Sequence, residues 1–295
     1  MFFKRKAPFR DTWWKKSLRV FGYVVASITI LFLITGPVED SRDEIRIIPI
    51  TGTIFSGSDG FSLDTFSDDV IAQLDHAQSD KRIKAVILEI NSPGGTVVGS
   101  REISTAIENF DKPIVSWMRE NAASGAYWIA VSTDHIVADP ATITGSIGVT
   151  GSYLQFSGLL DDYNITYERF VSGEYKDTGS PFKELTQQER DFLQNKINLL
   201  NNMFIDHIAT SRNLSTSYVR QNADGQIFLG VEARNRKLID SLGGKLDSVK
   251  IAAEMANLED YQITKYEKPT SFFDSLIYGK SNNNLLTQTS FGARA

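Results

Sequence analysis

Lys84-Ala-Val-Ile-Leu-Glu-Ile90 runs straight into Asn91-Ser92-Pro93-Gly94-Gly95. An unbroken apolar run of this length reads as a strand buried on both faces, as in a parallel sheet. The glycine pair after it allows unusual φ values and lets the backbone approach a ligand closely. A helical pattern follows through Val98, Ile103 and Ile107, then strand-like Pro113–Trp117. Upstream, Ile45–Ile50 is strand-like. Phe55–Phe61 is a Gly/Ser-rich loop, and Phe66, Val70, Leu74 and Ala77 mark one helix face. Downstream, His135–Asp139 reads as another short strand and Ile165–Val171 as a further one. Strands alternating with helices at this spacing give an α/β fold of βαβ units. Glu184–Arg212 reads as a long amphipathic helix. Thr186 and Glu189 form its capping box, and Leu193, Ile197, Leu200, Phe204 and Ile208 its apolar stripe.

The carboxyl ends of strands are where an α/β sheet binds ligands. Two stretches besides Asn91–Gly95 carry chemistry. Glu120-Asn-Ala-Ala-Ser124-Gly-Ala-Tyr-Trp-Ile-Ala130 places one hydroxyl among small residues at the start of an apolar helical run. Amides in a first helical turn are free to bind negative charge. Ser124 is thus a candidate nucleophile, and an N-capping serine is the competing structural reading. The amide of Gly94 or Gly95, with that of Gly125, can supply an oxyanion hole. A serine nucleophile needs a base. His76, His135 and His207 are widely separated and none has an evident partner in the sequence. Lys176, in the Gly-bounded loop Ser172–Phe182, is the other option. A lysine in water titrates near about 10.4 and is protonated at neutral pH, so desolvation would have to bring that value down. Asp177 would oppose the fall if the two side chains met. Ser146, in Thr144-Gly-Ser-Ile-Gly148, can orient a lysine amine or line the cleft, or be a plain turn serine.

The 295-residue chain has a net charge of −5 and no cysteine, which excludes disulfides and thiolate chemistry. No histidine sits at metal-ligand spacing, so no metal and no cofactor are expected. Residues 1–19 hold seven Lys and Arg against Asp11, and the rest is acidic, which argues against nucleic acid as a partner. Residues 20–38 are uncharged and long enough to span a bilayer. Basic residues before them orient the N-terminus to the cytoplasm. With no small-x-small site after the apolar run, an uncleaved anchor is expected rather than a signal peptide. The expected organisation is a basic segment 1–19, an anchor 20–38, a catalytic domain 39–265 and a flexible tail 266–295.

Asn91–Gly95, Ala122–Ala126, Thr144–Gly148, Ser172–Lys176 with Ser180-Pro-Phe182, Asp224–Gly230, Ala233, Leu238–Asp240 and Gly243-Gly244 occur in the order found in SppA-type signal peptide peptidases. The chain resembles that family over roughly residues 45–250. The resemblance implies a ClpP/crotonase-like fold of repeated ββα units. It implies Ser124 as nucleophile, Lys176 as general base, and Gly95 and Gly125 as oxyanion-hole amides. It further implies a homo-oligomeric ring whose neighbouring subunits share the site, and remnant signal peptides as substrates. The active domain would then stand on the outer face of the cytoplasmic membrane, with residues 20–38 in lipid. Gln226 and Lys237 depart from the Arg and Gly more usual in the family, at structural positions. Rival readings are a general membrane quality-control protease, a silent ring-forming scaffold, and a crotonase-like acyl-CoA enzyme.

Overall fold

A computed structural model of the chain describes residues 18, 20–27, 42–59 and 62–266. The chain divides into two units, Met1–Ser41 and Arg42–Ala295. In the first, residues 20–27 are helical with exposed side chains. Among the described residues no helix is long and apolar enough to cross a membrane. Most of the expected anchor (residues 28–38) and the expected tail beyond Tyr266 lie outside the described residues.

The second unit is built on one sheet. Its spine is β1 (Asp43–Phe55), β3 (Ile83–Gly95), β4 (Ile114–Ala123) and β5 (His135–Ala138), all parallel. One edge of β1 takes two short parallel strands, β2 (Thr65–Phe66) and β9 (Tyr261–Lys265); β8 (Ser241–Leu242) extends the sheet beyond β5. The end of β4 also pairs with β6 (Ile143–Gly145), which pairs antiparallel with β7 (Ile227–Leu229). Alternation of side chains along the strands separates two cores. Ile48, Ile50, Val86, Leu88, Ile90 and Met118 face a layer that includes α1 (Ser67–Ser79), α2 (Val97–Glu108), α3 (Gly125–Ala130) and the end of α5 (Gln187–Ser211). Ile45, Ile47, Ala85, Ile87, Val115 and Val137 face α8 (Lys245–Met255). This is a mixed α/β architecture around a parallel sheet, as the apolar run at Lys84–Ile90 requires. Three shorter helices complete it: α4 (Ser157–Asp162), α6 (Thr216–Gln221) and α7 (Gly230–Asn235).

Some expectations are corrected. Ile165–Val171 is irregular and exposed rather than a strand, and it pairs with no strand of the sheet. Val98 is 56% exposed while Ile103 and Ile107 are buried; Val97, Gly99 and Ser100 take the inward positions of the same turn, and Val98 points away from the core. α5 starts at Gln187, where the Thr186 and Glu189 capping box fixes its first turn. Of its stripe, Phe204 and Ile208 are buried, whereas Leu193, Ile197 and Leu200 are half-buried. The N-terminal half of α5 thus extends past the core.

Candidate active site

β3 and β4 end side by side and carry the two motifs together. Ser92 pairs with Ala122 in register, and the Ser92 hydroxyl donates to Gly52 O (2.6 Å) while accepting from Gly94 N (3.1 Å). That hydroxyl therefore fixes the Pro93-Gly94-Gly95 turn against β1. Gly94 has φ +103; a Cβ there would lie 2.7 Å from Gly125 N and 2.9 Å from Ser124 Cβ. Only glycine lets the turn lie this close to the serine segment. Gly95 is equally constrained, because a Cβ would overlap Ile54 O.

Ser124 stands between β4 and α3 with φ +53 and ψ −122, in a backbone conformation that costs a non-glycine residue about 1–3 kcal/mol. Its amide donates to Gly145 O (2.8 Å), and its carbonyl accepts from Trp128 N (2.9 Å). Its side chain makes no capping hydrogen bond, so the N-capping reading does not hold. The half-buried Ser124 sits at the mouth of α3. A Cβ on Gly125 would lie 3.2 Å from Gly95 N and would overlap Ser100 Oγ. Gly95 N and Gly125 therefore lie close together beside Ser124, with the tight Gly94 turn between β3 and the serine segment.

α3 is anchored at several points. Tyr127, fully buried, donates its hydroxyl to Leu238 O (2.7 Å). Trp128 stacks on Phe204 (4.6 Å) and His207 (5.4 Å) of α5. The next turn after Gly145 carries Ser146, at φ +49, whose amide donates to Gln226 O (2.7 Å). The chain thus brings Gly94, Gly95, Ser124, Gly125 and the Gly145-Ser146 turn together.

It does not bring Lys176 to them. Lys176 is exposed in a turn closed by its amide on Gly173 O (3.1 Å), and no hydrogen bond or ion pair joins it to Ser124. The feared partner, Asp177, is engaged elsewhere: Arg169 donates to it (2.7 Å) and Lys183 lies 3.6 Å away. Lys183 also bonds Glu189 (2.5 Å), and this bond with the Thr186 amide holds the Glu189 carboxyl down at about 2. The turn bearing Lys176 is therefore tied to the first turn of α5. In the segment before it, Leu154, Tyr163 and Phe170 are 73%, 71% and 92% exposed. A cavity of about 510 Å³ opens inside the same segment, between Leu160, Tyr167, Arg169 and Phe182.

The histidines do not meet Ser124 either. His135 Nε2 lies 2.9 Å from Ser241 Oγ, and His207 Nε2 lies 3.0 Å from Ser132 Oγ. His207 shows no partner in the sequence because its contacts lie far away along the chain. Arg212 grips Asp240 through two hydrogen bonds (2.9 and 2.7 Å) and so pins the end of α5 to the Leu238–Asp240 stretch. Burial pushes the Asp240 carboxyl up, but Arg212 and the Ile136 amide outweigh it and hold the group below its ordinary value. Among the described residues no cluster of His, Asp or Glu could hold a metal ion.

Comparison with known proteins places this geometry. The profile of peptidase family S49 matches residues 106–259, and that of the NfeD1b N-terminal domain matches residues 44–153. A putative protease of Methanocaldococcus jannaschii is 36% identical over 65% of this chain and 63% of its own length. A putative signal peptide peptidase SppA of Enterococcus faecium is 33% identical over 81% of this chain and 71% of its own. Protease 4 of Haemophilus influenzae is 33% identical over 73% of this chain but only 35% of its own length. With a family profile covering half the chain and a relative 33% identical over 81% of it, the chain belongs to peptidase family S49, the SppA-type serine proteases.

Proposed function

We propose that this protein is a membrane-tethered endopeptidase working through a Ser124/Lys176 dyad. The observation that carries the reading is the strained Ser124 (φ +53), with its side chain uncapped and the amides of Gly95 and Gly125 beside it. Ser124 Oγ attacks the scissile carbonyl while the Lys176 amine takes its proton. The oxyanion forms where the Gly95 and Gly125 amides can donate to it. The protonated lysine then hands its proton to the leaving amine. Water, deprotonated by the same lysine, hydrolyses the acyl-enzyme and frees Ser124.

Lys176 reaches a serine across an interface in this account, one subunit supplying Ser124 and its neighbour Lys176. The exposure of Lys176, and of Leu154, Tyr163 and Phe170 in the segment before it, supports this. The ammonium would lose water on docking, which lowers a lysine pKa. Ser146, whose turn adjoins the Ser124 amide, would orient the incoming amine. Assembly would be a closed ring of like subunits.

The substrates are peptides, and remnant signal peptides are the class proposed. Residues 20–38 would hold the protein in the cytoplasmic membrane beside them, the N-terminus cytoplasmic and residues 39–265 outside. The uncharged length of that segment and the likeness to a putative signal peptide peptidase support this. Labelling the membrane-extracted protein with a fluorophosphonate tests the dyad. Labelling of wild type that is lost in both Ser124→Ala and Lys176→Ala, with assembly unchanged, is expected. Undiminished labelling of Lys176→Ala would remove the lysine from the mechanism.

A further inference from the structure

A partly buried polar chain runs behind the nucleophile helix. Ser104 Oγ on α2 lies 2.6 Å from Ser132 Oγ, which lies 3.0 Å from His207 Nε2 on α5. His207 Nδ1 lies 3.6 Å from Glu108 on α2. The same imidazole stacks on Trp128, and its Nε2 lies 3.3 Å from Trp128 O. Trp128 N, in turn, donates to the carbonyl of Ser124 (2.9 Å). One residue of α5 thus touches the indole and the carbonyl of the residue whose amide holds the strained serine.

We propose that His207 is a positioning residue for the nucleophile, holding the backbone of Ser124 through Trp128. The inference rests on Ser124 being the nucleophile and adds a residue that never meets the substrate. It also gives α5 a role, since this helix starts at the Lys176 turn and ends on the nucleophile helix.

The arrangement changes when the imidazole is protonated. In the neutral tautomer that presents Nδ1–H to Glu108, Nε2 accepts from Ser132. Protonation makes Nε2 a donor. The Ser132 hydrogen must then swing away, and Nε2–H is drawn toward Trp128 O. The charged groups facing the ring are Glu108 and Arg101, both on α2. Burial lowers the His207 pKa, Arg101 adds to this, and Glu108 and the Trp128 carbonyl oppose it; the net shift is downward. His207 is therefore neutral at neutral pH and charges at acid pH.

The test is the rate of fluorophosphonate labelling from about pH 5 to about pH 8. A lysine base alone gives a log-rate limb with a slope of about one, and a second required deprotonation steepens it to about two below the histidine pKa. Wild type is expected to show the steep limb. His207→Gln is expected to label more slowly than wild type even at the alkaline end, with a slope of about one throughout. A wild-type slope of one, undiminished alkaline labelling of His207→Gln, or a steep limb retained in it, overturns the proposal. If His207→Gln fails to fold, Glu108→Gln decides, because Glu108 is half exposed. Its loss is expected to move the break to lower pH, and an unmoved break overturns the proposal. Labelling that survives Ser124→Ala would instead defeat the nucleophile assignment.

Discussion

Gly125→Ala offers the sharpest perturbation of the proposed oxyanion hole. The added methyl would overlap Ser100 Oγ and lie 3.2 Å from Gly95 N. Ser100 is fully buried on α2, its hydroxyl fixed on Thr96 O (3.0 Å), so it cannot step aside. Gly125 must move instead, and a displacement of about 1 Å at a catalytic centre is enough to cost roughly 10²-fold. Loss of one oxyanion donor costs about 10²–10³ in kcat, or about 3–4 kcal/mol of transition-state stabilisation. Gly125→Ala is therefore expected to lower kcat on a quenched-fluorescent peptide by about 10²–10³ with little change in KM. Ser100→Ala alone should be close to neutral, because Ser100 N still donates to Thr96 O (3.1 Å). Combined with Gly125→Ala it removes the overlapping oxygen and should restore about tenfold of the lost rate. Recovery stays partial because the methyl still crowds Gly95 N. Full activity in Gly125→Ala, or no recovery in the double variant, would refute the steric argument.

Two further predictions concern the supports of the site. Tyr127→Phe leaves Leu238 O without its buried donor and should cost about 1–3 kcal/mol in urea unfolding; a loss within experimental error would mean water replaces the hydroxyl. Arg212→Ala removes two charge-assisted hydrogen bonds from Asp240 and should cost about 2 kcal/mol at neutral pH. The folded pKa of Asp240 is depressed, so this stabilisation is present above the ordinary carboxylate value and is lost as pH falls through the folded one. Unfolding measured against pH should show the gap between wild type and Arg212→Ala closing below about pH 4, and a gap of constant size would contradict the assignment.

Much of the sheet was legible because its signals are local. After Lys84, the run to Ile90 has no polar residue except Glu89, and Glu89 is buried against Arg119 and Lys265. Small residues around Ser124 and the glycine pair Gly94-Gly95 announced the close approach of two strand ends. The N-terminus of α5 was equally local, since its capping box lies within four residues. What escaped sequence reading depends on distant partners. Ile165–Val171 has strand-like composition, but a strand also needs a pairing partner, and this segment has none among the described residues. His207 acquires its meaning from Ser132, 75 residues away, and Ser104, 103 residues away. Ser100 gave no signal at all, because a buried helix serine looks the same whether or not a glycine rests on it.

The two ends of the proposed dyad lie on parts of the chain with opposite character. Ser124 is set in the best-packed region, between a parallel strand end and a helix pinned by Tyr127 and Trp128. Lys176 is carried by an exposed segment whose hydrogen bonds end within itself or on the first turn of α5. A rigid nucleophile and an outlying base suit a site that exists only after assembly.

That central claim is tested most directly by mixing. Ser124→Ala and Lys176→Ala subunits, each inactive alone, would be dissociated, combined and reassembled, and peptide cleavage measured. The account predicts that activity returns in the mixed assembly, because some interfaces join an intact Ser124 to an intact Lys176. Reassembled mixtures that stay as inactive as either parent would contradict it.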